Sequence, residues 1–330
     1  MTDDLFDIFM EDEQLKENVA SRFVTGWTSF DRAVSDPPER YGLALRGIFH
    51  VNGHSRAGKT TFVWSLCSKI CAKLEKDMIL ANLEPIDYQF FVNVARANGF
   101  GPPLNAKEID YDYDGVNSGS VLKQLANAVT SKNNFCGILD SVGTMMAPKE
   151  GESNSPFGEA FMGKVAHVMN QFTKRLSSYY RENDGIVCAI NHLRPNIGFM
   201  GYHTPGGTGL RYSSSYEIRL QRLHEYGSSY SVAGKILKSK HGIDLEEFKL
   251  FMLYGKGVHS GLTAILDCAD DELFIAPKNK PGDIKATSKI KVKETGEELY
   301  SFRKYVELAH EGATEEFQIF HDLLAENKNE

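Results

Sequence analysis

Residues 47–60 read Gly47-Ile48-Phe49-His50-Val51-Asn52-Gly53-His54-Ser55-Arg56-Ala57-Gly58-Lys59-Thr60, an apolar run that breaks into a glycine-bounded turn. The last eight satisfy GxxxxGK[ST] in full, with a strand-like run over 47–51 before them and a helical pattern over 59–73 after them. The spacing has a chemical reason. Gly53 and Gly58 bracket His54, Ser55, Arg56 and Ala57 so that successive backbone N–H groups converge on phosphate oxygens, and the following helix start adds a favourable dipole. Lys59 is placed to reach the β- and γ-phosphates, the Thr60 hydroxyl to ligand Mg²⁺, and Thr61 completes the set. The implied ligands are ATP and Mg²⁺. A chance glycine-rich turn would lack the flanking strand and helix.

Outward from this turn, short apolar runs alternate with longer helical patterns. Strands are expected over 78–83, 136–141 and 185–191, and helices over 88–98, 121–130 and 159–182. Such alternation calls for an α/β fold with a mostly parallel central sheet flanked by helices. Runs over 216–223, 231–238 and 247–254 read as further strands extending that sheet. Ligands bind where parallel strands end at their carboxyl edge. Three candidates stand there. Asp140 closes one strand and would hold Mg²⁺ through water; its alternative is a cap on the next segment. Glu84, just past another, could polarise an attacking water, or could simply start the next helix behind Pro85. Asn191-His192 closes a third, as a γ-phosphate contact or as an ordinary core pair.

The chain has 330 residues, 42% hydrophobic and 25% charged, which excludes collagen-like and wholly disordered classes. No run approaches the roughly 18 uninterrupted apolar residues of a spanning helix. The acidic start is neither a secretory signal nor an Arg-rich transit peptide, and five cysteines without a CxxC pair suit a reduced, cytoplasmic setting with no membrane partner. Cys67 and Cys71, one helical turn apart, read as core residues. The net charge of −7 conceals a division. Residues 1–18 carry seven acids against Lys16, and residues 310–330 six against Lys328, so residues 19–309 are left at +4. A mildly basic body between acidic ends fits polyanion binding with competing tails, and fits solvated terminal helices equally well.

One ordered set of motifs carries a resemblance. TGWTSFD at 25–31, the phosphate loop, Leu83-Glu84, GILDS at 137–141, AINH at 189–192 and TPGGTG at 204–209 follow one another. Over residues 22–275 the sequence resembles the RecA superfamily of strand-exchange recombinases, and most the phage UvsX branch, which shares NH followed by GGTG. The resemblance implies a RecA-type P-loop ATPase core that binds ATP and Mg²⁺. It gives Glu84 the role of activating water, His192 that of sensing the γ-phosphate where glutamine is usual in the bacterial proteins, and Phe91 a place near adenine where tyrosine is usual. Lys238-Ser239-Lys240 matches a pair that reaches a neighbour's ATP across a filament interface, which would tie hydrolysis to assembly; a solvated strand end is the alternative.

The same resemblance makes two segments face DNA, residues 148–161 and 193–208. In the second, Arg194 contacts phosphate, Asn196 is a further DNA-binding residue, Ile197, Phe199, Met200 and Tyr202 wedge between or stack on bases, and Gly198, Gly201, Gly206 and Gly207 let the loop order around the polyanion. Pro195 stiffens this loop, and Glu150 and Glu152 make the first one acidic, two departures from the pattern. The expected division is an acidic polymerisation segment over 1–21 containing LFDIF, an ATPase core over 22–276, and a Lys-rich linker with an acidic helix over 277–330. A self-packed amphipathic helix competes for the first, and a secondary duplex-binding surface is a further reading of 278–304.

The expected activity is therefore DNA-dependent ATP hydrolysis by a recombinase filament on single-stranded DNA, acting on homologous duplex DNA and working with a single-strand-binding protein and a loading mediator. A ring helicase or translocase on the same core, and a non-catalytic recombination mediator, are the alternatives. A ring helicase would normally add a large collar before the core, and Lys59 with Glu84 speaks against a silent mediator.

Overall fold

The computed structural model describes residues 19–36, 40–85, 87–102, 104–109, 118–131, 134–145, 160–196, 200–275, 284 and 289–327. The LFDIF segment, residues 148–159 of the first DNA-facing segment, and Ile197, Gly198 and Phe199 lie outside the described residues.

The apolar runs around the phosphate loop become buried strands. A short pair, β1 (Arg22–Phe23) and β2 (Leu43–Ala44), with helix α1 (Thr28–Ala33) between them, precedes β3 (Arg46–Gly53) and α2 (Lys59–Leu74). Then come β4 (Asp77–Asn82), α3 (Tyr88–Ala97), β5 (Ala106–Glu108), α4 (Ser118–Val129), β6 (Asn134–Asp140), α5 (Ala160–Tyr179) and β7 (Gly185–His192). A pair of two-residue antiparallel strands, β8 (Arg194–Pro195) and β9 (Tyr202–His203), leads to α6 (Thr208–Ser213). Strands β10 (Tyr216–Glu225), β11 (Ser229–Ser239), β12 (Glu247–Leu253) and β13 (Gly257–Val258) follow, then α7 (Ser260–Asp270). The chain closes with β14 (Phe274–Ile275), β15 (Lys289–Val292) and β16 (Glu298–Ser301), which form a three-stranded sheet, and helices α8 (Phe302–Glu311) and α9 (Gln318–Glu326).

The main sheet has nine strands in the order β13-β12-β11-β10-β3-β7-β6-β4-β5. From β10 to β5 every pairing is parallel, and from β10 to β13 every pairing is antiparallel. This is the mostly parallel α/β sheet expected, with the three later runs extending it. β3 and β7 are buried along almost their whole length, as strands covered on both faces must be. On one face Trp27, Phe30 and Phe62 pack as tilted and edge-on rings at 5.5–6.1 Å. On the other, α4 and α5 cover the sheet with Leu122, Leu125, Phe172 and Leu176. Truncating a ring such as Phe62, which is fully buried, is expected to cost about 3–5 kcal/mol.

A third cluster joins β12 and α7 to the C-terminal helices through Phe251, Leu262, Ile265, Phe302, Phe317 and Phe320. All five cysteines are free and buried, and Cys67 Sγ lies 3.7 Å from Cys188 Sγ within the core. Among the described residues no helix is long and apolar enough to cross a membrane.

Register brings the strand ends together. Gly53 pairs with His192 and Asn82 with Asp140, so four neighbouring parallel strands finish at one edge of the sheet. The phosphate loop, Asp140, His192 and the start of the 193–208 segment all issue from that edge.

Candidate active site

The loop between β3 and α2 is shaped by contacts that two of its glycines permit. A Cβ on Gly53 would stand 2.4 Å from the Leu220 carbonyl oxygen of the adjacent β10, so only glycine fits. Gly58 adopts φ +84°, and a Cβ there would stand 2.8 Å from Met252 Sδ. Between them Ala57 is buried and its N–H donates to the His54 carbonyl at 3.3 Å. Lys59 as a residue is almost wholly buried, and its ammonium donates to the same carbonyl at 2.8 Å.

From Lys59 a polar chain crosses the mouth of the loop. Its Nζ is 3.3 Å from His192 Nδ1, and His192 Nε2 is 3.2 Å from Glu84 Oε1. An ammonium offers only protons, so Nδ1 accepts and Nε2 carries the hydrogen that Glu84 receives; the partners thereby assign the tautomer. The Ser141 hydroxyl donates to the same Glu84 oxygen. Burial lowers the Lys59 ammonium to about 8, against the pull of Asp140 and Glu84. The hydrogen bond from His192 holds the Glu84 carboxyl below its usual range, with burial opposing. Glu84 is therefore a firmly ionised acceptor. It suits a group that receives a hydrogen bond from water and gains a proton only as charge develops.

The second arm of the site lies beneath. Thr60 Oγ1 donates to Asp140 Oδ2 at 2.8 Å. Asp140 is almost fully buried, and burial pushes its carboxyl up to about 6 despite the Thr60 bond. Its other oxygen, Oδ1, is buried with no hydrogen-bond partner among the described residues. An orphaned carboxylate oxygen beside a threonine hydroxyl fits a hard cation that prefers oxygen ligands and keeps its waters. Among the described residues no group of three or more His, Cys, Asp or Glu could hold a metal by itself, so a cation here draws its remaining ligands from phosphate and water.

A cavity of about 580 Å³ opens over this arrangement, within the roughly 300–1,000 Å³ of ligand sites. Its far wall was not foreseen. Arg222 of β10 lies over the Tyr230 ring at 4.0 Å, Tyr230 and Tyr254 rings are 5.1 Å apart, and the guanidinium also bonds the Tyr254 hydroxyl. The Tyr230 hydroxyl reaches Thr61 Oγ1 at 3.4 Å. Glu225 also lines the cavity and pairs with Arg222 at 3.2 Å, so this wall offers chiefly aromatic faces to a planar ring. Only the strand register, which pairs Tyr230 with Met252, brings these residues side by side.

Other expected residues fall elsewhere. Phe91 is buried and stacked on Trp64, with centroids 3.9 Å apart, and lines a separate pocket with Leu80 and Phe100 rather than the phosphate cavity. Lys238 donates to the carbonyls of Arg211 and Tyr212 at 3.0 and 2.6 Å, and Lys240 to that of Ser213 at 2.9 Å. Both ammoniums thus close the C-terminus of α6, and neither lines the cavity over its own phosphate loop.

The 193–208 segment is rooted in the site. Asn191 Nδ2 donates to the Pro205 carbonyl at 2.8 Å, and Arg194 donates to the Gly143 carbonyl at 2.9 Å, three residues past Asp140. Asn196 N–H donates to the Gly201 carbonyl at 3.0 Å, Met200 is fully exposed, and Gly206 and Gly207 abut Val142 and Ala166. The Tyr202 ring meets the phosphate-loop His54 edge-on at 4.6 Å.

The RecA N-terminal domain family matches residues 10–259. Curated relatives include the RecA protein of Ruminococcus albus, 27% identical over 183 residues, or 51% of this chain and 45% of that protein. The RecA protein of Oleidesulfovibrio alaskensis is 26% identical over 227 residues, 66% of this chain and 61% of that protein. That of Chlorobium limicola is 24% identical over 237 residues, 69% and 64% respectively. The chain thus spans less than two thirds of the length of each of these relatives. With a family match over well more than half its length, on a sheet whose strand ends carry the phosphate loop, Glu84, Asp140 and His192, this chain belongs to the RecA family.

Proposed function

We propose that this chain is an ATP-dependent DNA recombinase whose copies polymerise on single-stranded DNA, with Mg-ATP between them, and pair the bound strand with homologous duplex DNA. One observation carries the reading: His192 touches both Lys59 and Glu84, while Arg194, two residues on, opens the segment read as DNA-facing. A group that meets the γ-phosphate end of the loop is thereby tied to the residues that would grip the strand. ATP binding raises DNA affinity through this link, and DNA binding raises ATP affinity by the same factor.

In hydrolysis the Glu84 carboxylate accepts a hydrogen bond from the attacking water and takes its proton as the new bond to the γ-phosphorus forms. The bond to the β–γ bridging oxygen breaks, ADP leaves with that electron pair, and the proton passes on to phosphate. Lys59 and the backbone N–H groups of 54–58 hold the phosphates. Thr60 and Asp140 would hold Mg²⁺, which would supply charge neutralisation at the phosphate oxygens. Lys238 and Lys240 act on a neighbouring copy's ATP, so turnover waits for assembly. On DNA, Arg194 and Asn196 contact backbone, Ile197, Phe199 and Met200 wedge or stack, and Gly198, Gly206 and Gly207 give the loop its freedom. Phe91 keeps its proposed place near adenine only if its stack on Trp64 opens. The acidic segment up to residue 21 serves polymerisation, and a single-strand-binding protein and a loading mediator are working partners in the cytoplasm of a bacterial or phage-infected cell.

The test is ATP hydrolysis with and without single-stranded DNA across a salt series. Stimulation by DNA that falls steeply with salt is expected, because phosphate contacts dominate such binding. Electron micrographs with a non-hydrolysable analogue and DNA should show filaments. Closed hexamers alone would replace this reading by the helicase.

A further inference from the structure

Tyr254 lines two cavities, the one over the phosphate loop and a second of about 830 Å³ beyond it. The second is walled by α2 and α3, by the turn after β12, and by the C-terminal helices. Lys69, Arg96 and Lys256 line it together with His259 and His321, and no aspartate or glutamate does among the described residues. That bias runs against the chain as a whole, which carries 44 acidic residues against 37 lysines and arginines. It also runs against the cavity's own walls. Glu311, Glu315, Glu316, Asp322 and Glu326 belong to the C-terminal segments that build it, and none of them lines it.

Lys69 and Lys256 are held in place. Lys69 donates to Ser260 Oγ at 3.2 Å and stands 5.6 Å above the Trp27 ring. Lys256 donates to the carbonyls of Ala309 and His310, the last turn of α8, which fixes its ammonium on the rim. His259 uses Nδ1 to accept from the Leu262 N–H at 3.1 Å, which leaves its other ring nitrogen a donor. Burial lowers this imidazole to about 4, and Lys256, His310, His321 and Lys69 push the same way, while Asp31 acts on Lys69 and Asp322 on His321 in the opposite sense. Gly255, at φ +73°, has no atom within 4 Å of where its Cβ would stand, so the backbone of the turn is open to a ligand. Two anchored lysines, an exposed arginine, a neutral N–H donor and bare backbone, in a concave space with no carboxylate among its described lining residues, suit phosphate oxygens.

We propose that this cleft binds a phosphate-bearing anion of about nucleotide size, separate from the nucleotide at the phosphate loop and sharing Tyr254 with it. The phosphate can come from a free nucleotide or polyphosphate, or from the backbone of a nucleic-acid strand laid across the rim.

The experiment uses the full chain carrying Lys59→Ala, which silences the phosphate loop, and titrates it with pyrophosphate and separately with a short single-stranded oligonucleotide in a calorimeter. Each titration is repeated with Lys69→Ala and Arg96→Ala added singly. Arg96 occupies an exposed position on α3, so its truncation leaves the fold intact, and Lys69→Arg is expected to retain binding. With Lys59 intact, Arg96→Ala should keep its melting temperature, and both alanine variants should keep their DNA-independent ATP hydrolysis. A pyrophosphate affinity that drops about tenfold in the variants identifies a free phosphate ligand. An oligonucleotide affinity that drops while pyrophosphate binding does not assigns the site to a nucleic-acid backbone. Affinities for both probes that match the Lys59→Ala parent overturn the proposal, and do so without touching the recombinase reading.

Discussion

The Lys238 ammonium stands 2.6 Å from the Tyr212 carbonyl oxygen, so a residue expected to serve a neighbouring copy spends the lone subunit capping a helix of its own. Favourable interaction of a cation with a helix C-terminus is worth only about 0.3–1 kcal/mol, which a triphosphate can outbid.

Lys238→Ala should therefore lower the stability of the isolated chain by no more than about 1 kcal/mol and leave its nucleotide affinity unchanged. Under filament-forming conditions the same variant should lose DNA-stimulated hydrolysis at least about tenfold. Thermal melts, nucleotide titration and phosphate release on DNA separate the two roles, and wild-type turnover would remove the trans-acting role.

Glu84→Gln should retain nucleotide binding and lose about 10²–10⁴ in turnover, as expected for removal of a group that takes a proton. The pH profile adds a signature. Under the proposed mechanism activity needs Glu84 ionised, and because His192 holds its carboxyl down the acid limb should lie lower than for an ordinary glutamate. His192→Ala removes that bond and should move the acid limb to higher pH in a kcat profile.

Asp140 makes a prediction of opposite signs. Burial raises its carboxyl from its ordinary 3.8 to about 6, so the folded protein holds a proton that the unfolded chain has already released. Stability is lost as pH climbs through that window, and the full cost stands above it. Asp140→Asn should then stabilise the nucleotide-free protein in neutral buffer by roughly 1–3 kcal/mol, and not in acid, while weakening Mg²⁺-dependent nucleotide binding. Melting curves at several pH values, with and without Mg-nucleotide, check both halves.

The edge-on contact between His54 and Tyr202 links the phosphate loop to the following loop without an intermediary. His54→Ala and Tyr202→Ala should each blunt the dependence of DNA affinity on nucleotide. A double-mutant cycle should return a coupling of about 0.5–1.5 kcal/mol; strictly additive effects would dissolve the link.

The site was legible where chemistry is local. The turn from Gly53 to Lys59 carries its own conformation, and Asp140 and His192 end apolar runs whose strands stop at those residues. The parallel core followed from alternation of period and length. What escaped depends on register or on burial from all sides. Arg222, Tyr230 and Tyr254 stand on three chain segments that meet only through antiparallel pairing. α7 is buried along nearly its whole length, and its cap is His259 rather than a short polar residue. β5 is three exposed residues at the sheet edge, too short and too polar to announce a strand. The position of Phe91 shows the same limit in reverse: a matching place in the sequence said nothing of the Trp64 ring that occupies its face.

His192 and Arg194 sit on one extended stretch only two residues apart, a span of roughly 7 Å. Under the proposed function, the machinery that burns fuel and the machinery that clasps the polymer hang from a single short peg. Any attempt to engineer a faster motor at this position is at once a change in grip, and independent tuning of the two must come from residues lying off that strand.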